Sequence, residues 1–266
     1  MHWWPVALVY VSYLALISLA GRFGRARPAA LAAAALSWLA TGVVFWQGQA
    51  ATPLSTAAQI VLPASILLAG YWLSGLFFVG PNRRMEGWLQ SVDETLLTRT
   101  GVLGWFRRGP KVVREYLELN YVLVYAKLTA GAVTLLIAGR MGDVTRFWAT
   151  VLTAEFACYG MLPWIPTRPP RAIENPGGQP PPSHVRRLNL GIAAHASIQV
   201  NTLPSGHAAG AVATACCVAS TVPQAAGVFA VIAASIAVAT AIGRYHYLVD
   251  SVLGVLVGAA AWALVY

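Results

Sequence analysis

The sequence predicts an all-α fold, a polytopic membrane bundle of about eight transmembrane helices. Of its 266 residues 58% are hydrophobic and only 10% are charged, mean hydropathy is +0.62, and the apolar residues gather into long runs. A soluble domain carries roughly 25% charged and 45–50% apolar residues. The deficit in charge excludes disorder, a coiled coil and an ordinary cytosolic enzyme. A net charge of +9 can point to nucleic acid, but here the basic residues lie in short loops and no polar domain is left to dock a duplex. Arg outnumbers Lys 16 to 2. The planar guanidinium fork suits phosphate, so the bias points to phosphorylated substrates or lipid headgroups, although GC-rich coding produces the same bias.

A crossing needs about 20 mainly apolar residues. The runs that qualify are Trp3–Ala20, Ala29–Trp46, Gln59–Val79, Leu117–Ala138, Phe147–Ile165, Ser205–Ser220, Ala225–Ile242 and Leu248–Tyr266. The first lacks a basic n-region and a small-x-small cleavage site, so it reads as an uncleaved helix and not a signal peptide. Glu118, Asn120 and Lys127 interrupt the fourth, and the sixth is short unless its first turn begins at Pro204. Cys158, Cys216 and Cys217 fall inside apolar runs without the spacing of a zinc site, as packing residues do. Gly254 and Gly258 form a small-x-x-x-small face, expected to pack helices within the monomer.

Two connections are too long to be turns. Pro81–Tyr116 mixes charge with Trp88, Leu89, Leu96, Leu97, Trp105 and Phe106, the pattern of amphipathic helices lying in the membrane interface. Pro166–Val200 contains Pro169, Pro170, Pro176, Pro180, Pro181 and Pro182, so regular helix is not expected in it. A long irregular segment in a compact domain is usually functional or disordered.

Three stretches carry chemistry: Pro163-Trp-Ile-Pro-Thr-Arg168-Pro-Pro-Arg171, Pro204-Ser205-Gly206-His207 and Gly243-Arg244-Tyr-His246-Tyr-Leu-Val-Asp250. With the helices counted as above, all three sit at helix ends on one side of the membrane, where ionisable residues are functional by default. Singly, each has a plain reading: Ser205 as a helix cap, His246 and Asp250 as a structural pair on one helical face, and Arg168 with Arg171 as a positively charged loop. Together they suit phosphoryl transfer. Phosphate needs guanidinium groups and helix N-terminal amides around it. A histidine nucleophile needs its far ring nitrogen held by a carboxylate, and a second histidine must protonate the leaving alkoxide. That chemistry requires no metal and no cofactor. His207, His246 and Asp250 are also a conceivable zinc set, which so many neighbouring arginines disfavour.

Arg168-Pro169, Pro204-Ser-Gly-His207 and His246-x-x-x-Asp250, in that order, resemble the three motifs of the type 2 phosphatidic acid phosphatase superfamily. The stretch His246-Tyr-x-x-Asp250-x-x-x-Gly254, with Pro-Thr-Arg-Pro-Pro-Arg, is more similar to the branch of inositol phosphorylceramide synthases and bacterial phosphatase-like proteins. The resemblance runs from about Ser91 to the C-terminus. It implies additional transmembrane helices in residues 1–56 and a catalytic membrane domain in 57–266. By position, His246 would be the nucleophile that forms a phosphohistidine and Asp250 its orienter. His207 would be general acid, then general base for water. Ser205, the Gly206 amide, Arg168, Arg244 and Arg171 would bind the phosphate. Two departures stand out. The family has a lysine seven residues before its motif arginine, where this chain has Met161, and an arginine six before its motif histidine, where this chain has Thr240. Both fit the synthase-like branch better, and they disfavour a vanadate-binding haloperoxidase.

Parity of the loops puts 15 basic residues on the motif side against 2 on the other, which by the positive-inside rule places the site at the cytoplasmic face. The resemblance implies the opposite: a multi-pass protein of a cell membrane, the bacterial inner membrane, with an extracytoplasmic site. We take the face the resemblance implies as the expectation. The expected activity is metal-independent hydrolysis of a lipid phosphomonoester or pyrophosphate, of phosphatidic acid or polyprenyl pyrophosphate type. Two alternatives stand: a headgroup phosphotransferase, with Glu174, Asn175, His184, Asn189 and His195 available for an alcohol pocket, and a non-enzymatic lipid transporter that would dispense with both histidines.

Overall fold

The computed structural model describes residues 2–46, 53–174 and 183–266. They form an all-helical bundle: α1 Trp4–Ser18, α2 Arg27–Trp46, α3 Pro53–Gly75, α4 Arg83–Asp93, α5 Val102–Arg108, α6 Lys111–Val122, α7 Val124–Ile137, α8 Met141–Gly160, α9 His184–Ala196, α10 Gly206–Thr221, α11 Ala226–Ile242 and α12 Leu248–Val265. By length and composition two described helices could cross a membrane, Pro223–Ile242 and Leu248–Val265, or three if the bent pair α6–α7 counts as one span.

Helix α10 is the hub, packed against α7, α8, α11 and α12. Its sequence explains this: Ala208, Ala209, Gly210, Ala211, Ala213 and Ala215 are small and buried, so neighbouring backbones approach closely. Gly254 and Gly258 of α12 complete the closest approach, since a methyl group at either would overlap the carbonyl oxygen of Ser205 or Ala209. The small-x-x-x-small face thus packs within the chain. Phe147, Trp148, Val151 and Leu152 of α8 share one core with Cys158 and Cys217. All three cysteines are free thiols. Helix α1 lies against α2 and α8, where Tyr10 stacks on Phe156 at 4.0 Å and the Tyr13 hydroxyl donates to Gly160 O at 2.6 Å.

Two sequence expectations need correcting. The fourth run is no single straight helix: it parts near Leu123 into α6 and α7, bent by 70°. Its polar residues Glu118, Asn120 and Lys127 are all buried; Glu118 and Lys127 serve tertiary partners described below, while Asn120 Nδ2 donates to Tyr116 O of its own helix at 2.8 Å. The segment 166–200 does contain regular helix, since α9 occupies its proline-free second half, with Ser183 Oγ accepting from Arg186 N at 3.2 Å as its cap. Pro176, Pro180, Pro181 and Pro182 lie outside the described residues.

The segment 81–116 holds the helices its pattern predicts. Asn82 caps α4 by accepting from Met85 N at 3.1 Å. Glu86, Leu89 and Asp93 form its buried face, while Trp88 and, on α5, Trp105 are exposed.

Candidate active site

The ends of α8, α10 and α12 bring the three motifs together, and backbone hydrogen bonds fix them. Asn201 N donates to Thr167 O at 2.8 Å, Ser205 N to Asp250 O at 2.9 Å and Arg171 N to Arg244 O at 3.1 Å. The segment before His246 turns sharply through Arg244, whose φ is +63°.

His246 stands two residues before the first turn of α12, with Tyr247 at the cap position. It and Asp250 therefore do not share a helical face. Asp250 sits in the first turn and reaches back: its Oδ2 accepts from Tyr247 N at 3.0 Å and lies 3.7 Å from His246 Nδ1. His246 Nδ1 itself makes no hydrogen bond among the described residues. Both side chains are buried, Asp250 completely.

His207 occupies the first turn of α10, 5.4 Å from His246 ring to ring. Its imidazole begins an aromatic stack. Tyr121 lies parallel to it at 5.3 Å, and Tyr245 stacks on Tyr121 at 3.6 Å. The stack is anchored by Glu118, whose Oε2 accepts from the Tyr245 hydroxyl at 2.6 Å and from Asn189 Nδ2 at 2.7 Å, while Oε1 pairs with Arg186 at 2.6 Å. This is the work of the polar residues in the fourth run, and it docks α9 beside the site.

The two histidines and Arg171 line one cavity with Tyr71, Tyr121, Tyr159, Tyr245 and Thr202. Its volume is about 20 Å³, room for about one water. Arg171 Nη1 donates to Tyr245 O at 3.3 Å, and its guanidinium lies 5.4 Å from the Tyr245 ring centre.

The other residues expected at phosphate carry protein partners in this structure. Arg168 forms a forked pair with Glu86 of α4, Nε to Oε1 at 3.0 Å and Nη2 to Oε2 at 2.9 Å. Arg244 is held by Asp93 at 2.5 Å and by Glu174 at 2.5 Å. The Arg168 guanidinium holds the Glu86 carboxyl below the usual glutamate range, against the opposing effect of burial. Ser205 caps its own helix, Oγ accepting from Ala208 N at 3.4 Å, and the Gly206 amide faces Thr202 Oγ1 at 3.4 Å. Thr240, where the family has an arginine, is buried and hydrogen-bonded to Ser251 at 2.8 Å. Met161, where it has a lysine, is exposed.

Of the residues suggested for an alcohol pocket, Asn189 is committed to Glu118 and Glu174 to Arg244. His184 Nδ1 contacts Arg187 Nη2 at 2.9 Å, His195 Nδ1 contacts Gly191 O at 2.8 Å, and Asn175 lies outside the described residues. Sequence reasoning missed Asn201, Thr202, Tyr121, Glu86 and Asp93. Asn201 and Thr202 stand just before the Pro-Ser-Gly-His motif, separated from it by Leu203, and that was the available signal.

A family model described as the PAP2 superfamily matches residues 87–264. That is more than half of the chain, and the chain belongs to this superfamily. No curated protein and no solved structure matches it.

Proposed function

We propose that the protein is an integral-membrane lipid phosphatase, crossing the bilayer about eight times, that removes a phosphate from a phosphatidic acid or polyprenyl pyrophosphate type of lipid without a metal. His246 attacks phosphorus and becomes phosphohistidine, with Asp250 steadying the imidazole. His207 delivers a proton to the leaving oxygen and then takes one from the attacking water. Arg171, from the cavity wall, offers its positive charge to the phosphate, with Arg168, Arg244, Ser205 and the Gly206 amide around it. The site faces away from the cytoplasm, as superfamily membership suggests.

The observation that carries this reading is the apposition of His207 and His246, 5.4 Å apart at one cavity, with Asp250 behind the nucleophile. A nucleophile and a separate acid are what a displacement with a poor leaving group requires. The cavity must widen to admit a phosphate. The two departures at Met161 and Thr240 favour the second reading, a headgroup phosphotransferase using the same site.

The test is inorganic phosphate release by the detergent-purified protein from phosphatidic acid and from a polyprenyl pyrophosphate, with chelator present, beside His246→Ala. Release that survives chelator and needs His246 supports the hydrolase. Release only on addition of a divalent metal contradicts the metal-free mechanism, and transfer only to an added alcohol supports the second reading.

A further inference from the structure

Lys127 and Glu155 are the charged residues that the mechanism above leaves unused although they lie beside its acid. Both are buried, at 4% and 3% exposure, and ionisable side chains inside a membrane domain are costly to keep. Lys127 of α7 donates from Nζ to the carbonyl oxygen of His207 at 2.7 Å. Glu155 of α8 approaches the same turn of α10 from another side. Its carboxylate fills the groove left by two glycines one turn apart: a methyl group on Gly206 would lie 2.6 Å from Oε2, and one on Gly210 would overlap Oε1. Neither side chain lines the cavity.

We propose that Lys127 and Glu155 are positioning residues that clamp the first turn of α10 and so hold the His207 imidazole at the reacting centre, an inference that rests on His207 being the general acid. The ammonium fixes the turn along its axis through the His207 carbonyl. The carboxylate fixes its rotation, because only the glycine face of α10 can receive it. A misplacement of 1 Å at a catalytic group can cost about 10²-fold in rate, which is reason enough to retain two charges here.

The test compares wild type with Lys127→Met, Glu155→Gln and the double variant. Either single substitution leaves a buried charge without its countercharge and can unfold the chain, so the double variant decides. Hydrogen exchange of the segment 203–211, read by mass spectrometry, should quicken in the double variant. Its kcat on short-chain phosphatidic acid should fall at least about tenfold with KM changed less than about threefold, as expected when only a transition-state interaction is lost. The loss should shrink on p-nitrophenyl phosphate, whose leaving group needs little proton delivery. Unchanged exchange overturns the proposal, as does unchanged kcat on the lipid or an equal loss on both substrates. If wild type shows no His246-dependent phosphate release on either substrate, the functional reading fails by itself, and the exchange arm still decides whether the pair clamps the turn.

Discussion

Asn201 holds Asp250: its Nδ2 donates to Asp250 Oδ2 at 2.7 Å and also to Thr167 Oγ1 at 3.0 Å. Through one side chain the residue next to Arg168 is tied to the carboxylate behind His246. The same Oδ2 takes Tyr247 N and faces His246 Nδ1, so the amide shares in setting where the carboxylate stands. We expect Asn201→Ala to lower kcat about tenfold or more. Leaving buried acceptors unsatisfied should cost about 1–3 kcal/mol of stability. Steady-state kinetics and thermal unfolding of the same preparation check both.

The two histidines should separate by leaving group. His246→Ala removes the proposed nucleophile and should lower turnover on every substrate by orders of magnitude. His207→Ala should cost about 10²–10⁴-fold on an alkyl phosphate, the usual worth of general acid–base catalysis, and markedly less on an aryl phosphate. Both proteins should melt close to wild type. The comparison is a two-by-two table of rates.

Glu86 makes stability depend on pH. Arg168 lowers its carboxyl in the folded state, so the unfolded chain takes up a proton first as pH falls. The stabilisation is therefore complete above the ordinary glutamate range and is lost as pH drops through the folded value. Glu86→Gln should melt below wild type at neutral pH, and the gap should close as pH falls through the ordinary glutamate range and on through the lower folded value. A gap that is constant across that range would show that the pair does not matter to folding.

The contact of α10 with α12 leaves no room for a side chain at Gly254. Gly254→Leu should cost at least about 1–3 kcal/mol by overpacking, and it should displace Ser205 and the turn that follows. Gly227, with nothing near it, should tolerate alanine with little effect on melting temperature or rate.

The motif residues and the helices around them could be read from the sequence because their spacing is local: a Ser-Gly turn opening an alanine-rich helix, a histidine and an aspartate four residues apart. Their partners could not. Glu86 meets Arg168 across 82 positions and Arg244 meets Asp93 across 151, and no periodicity encodes such distances. The carboxylate partners of the two arginines were not visible in the sequence, because only the fold brings α4 to them. In the fourth run, Glu118 and Lys127 looked like flaws in a span when they were contacts to Tyr245 and His207. Helix α9 was missed because prolines at one end of a segment were taken to govern all of it, although Ser183 signalled a new start.

The phosphoenzyme itself is the most direct test of the account. His207→Ala, given a ³²P-labelled aryl phosphate, can still form the intermediate, but it lacks the base that activates water for its breakdown. Quenched in alkali and digested, it should carry label on the peptide containing His246, and His207→Ala/His246→Ala should carry none. Label that persists when His246 is replaced, or no label at all while the wild-type protein turns the same substrate over, would contradict a covalent path through His246.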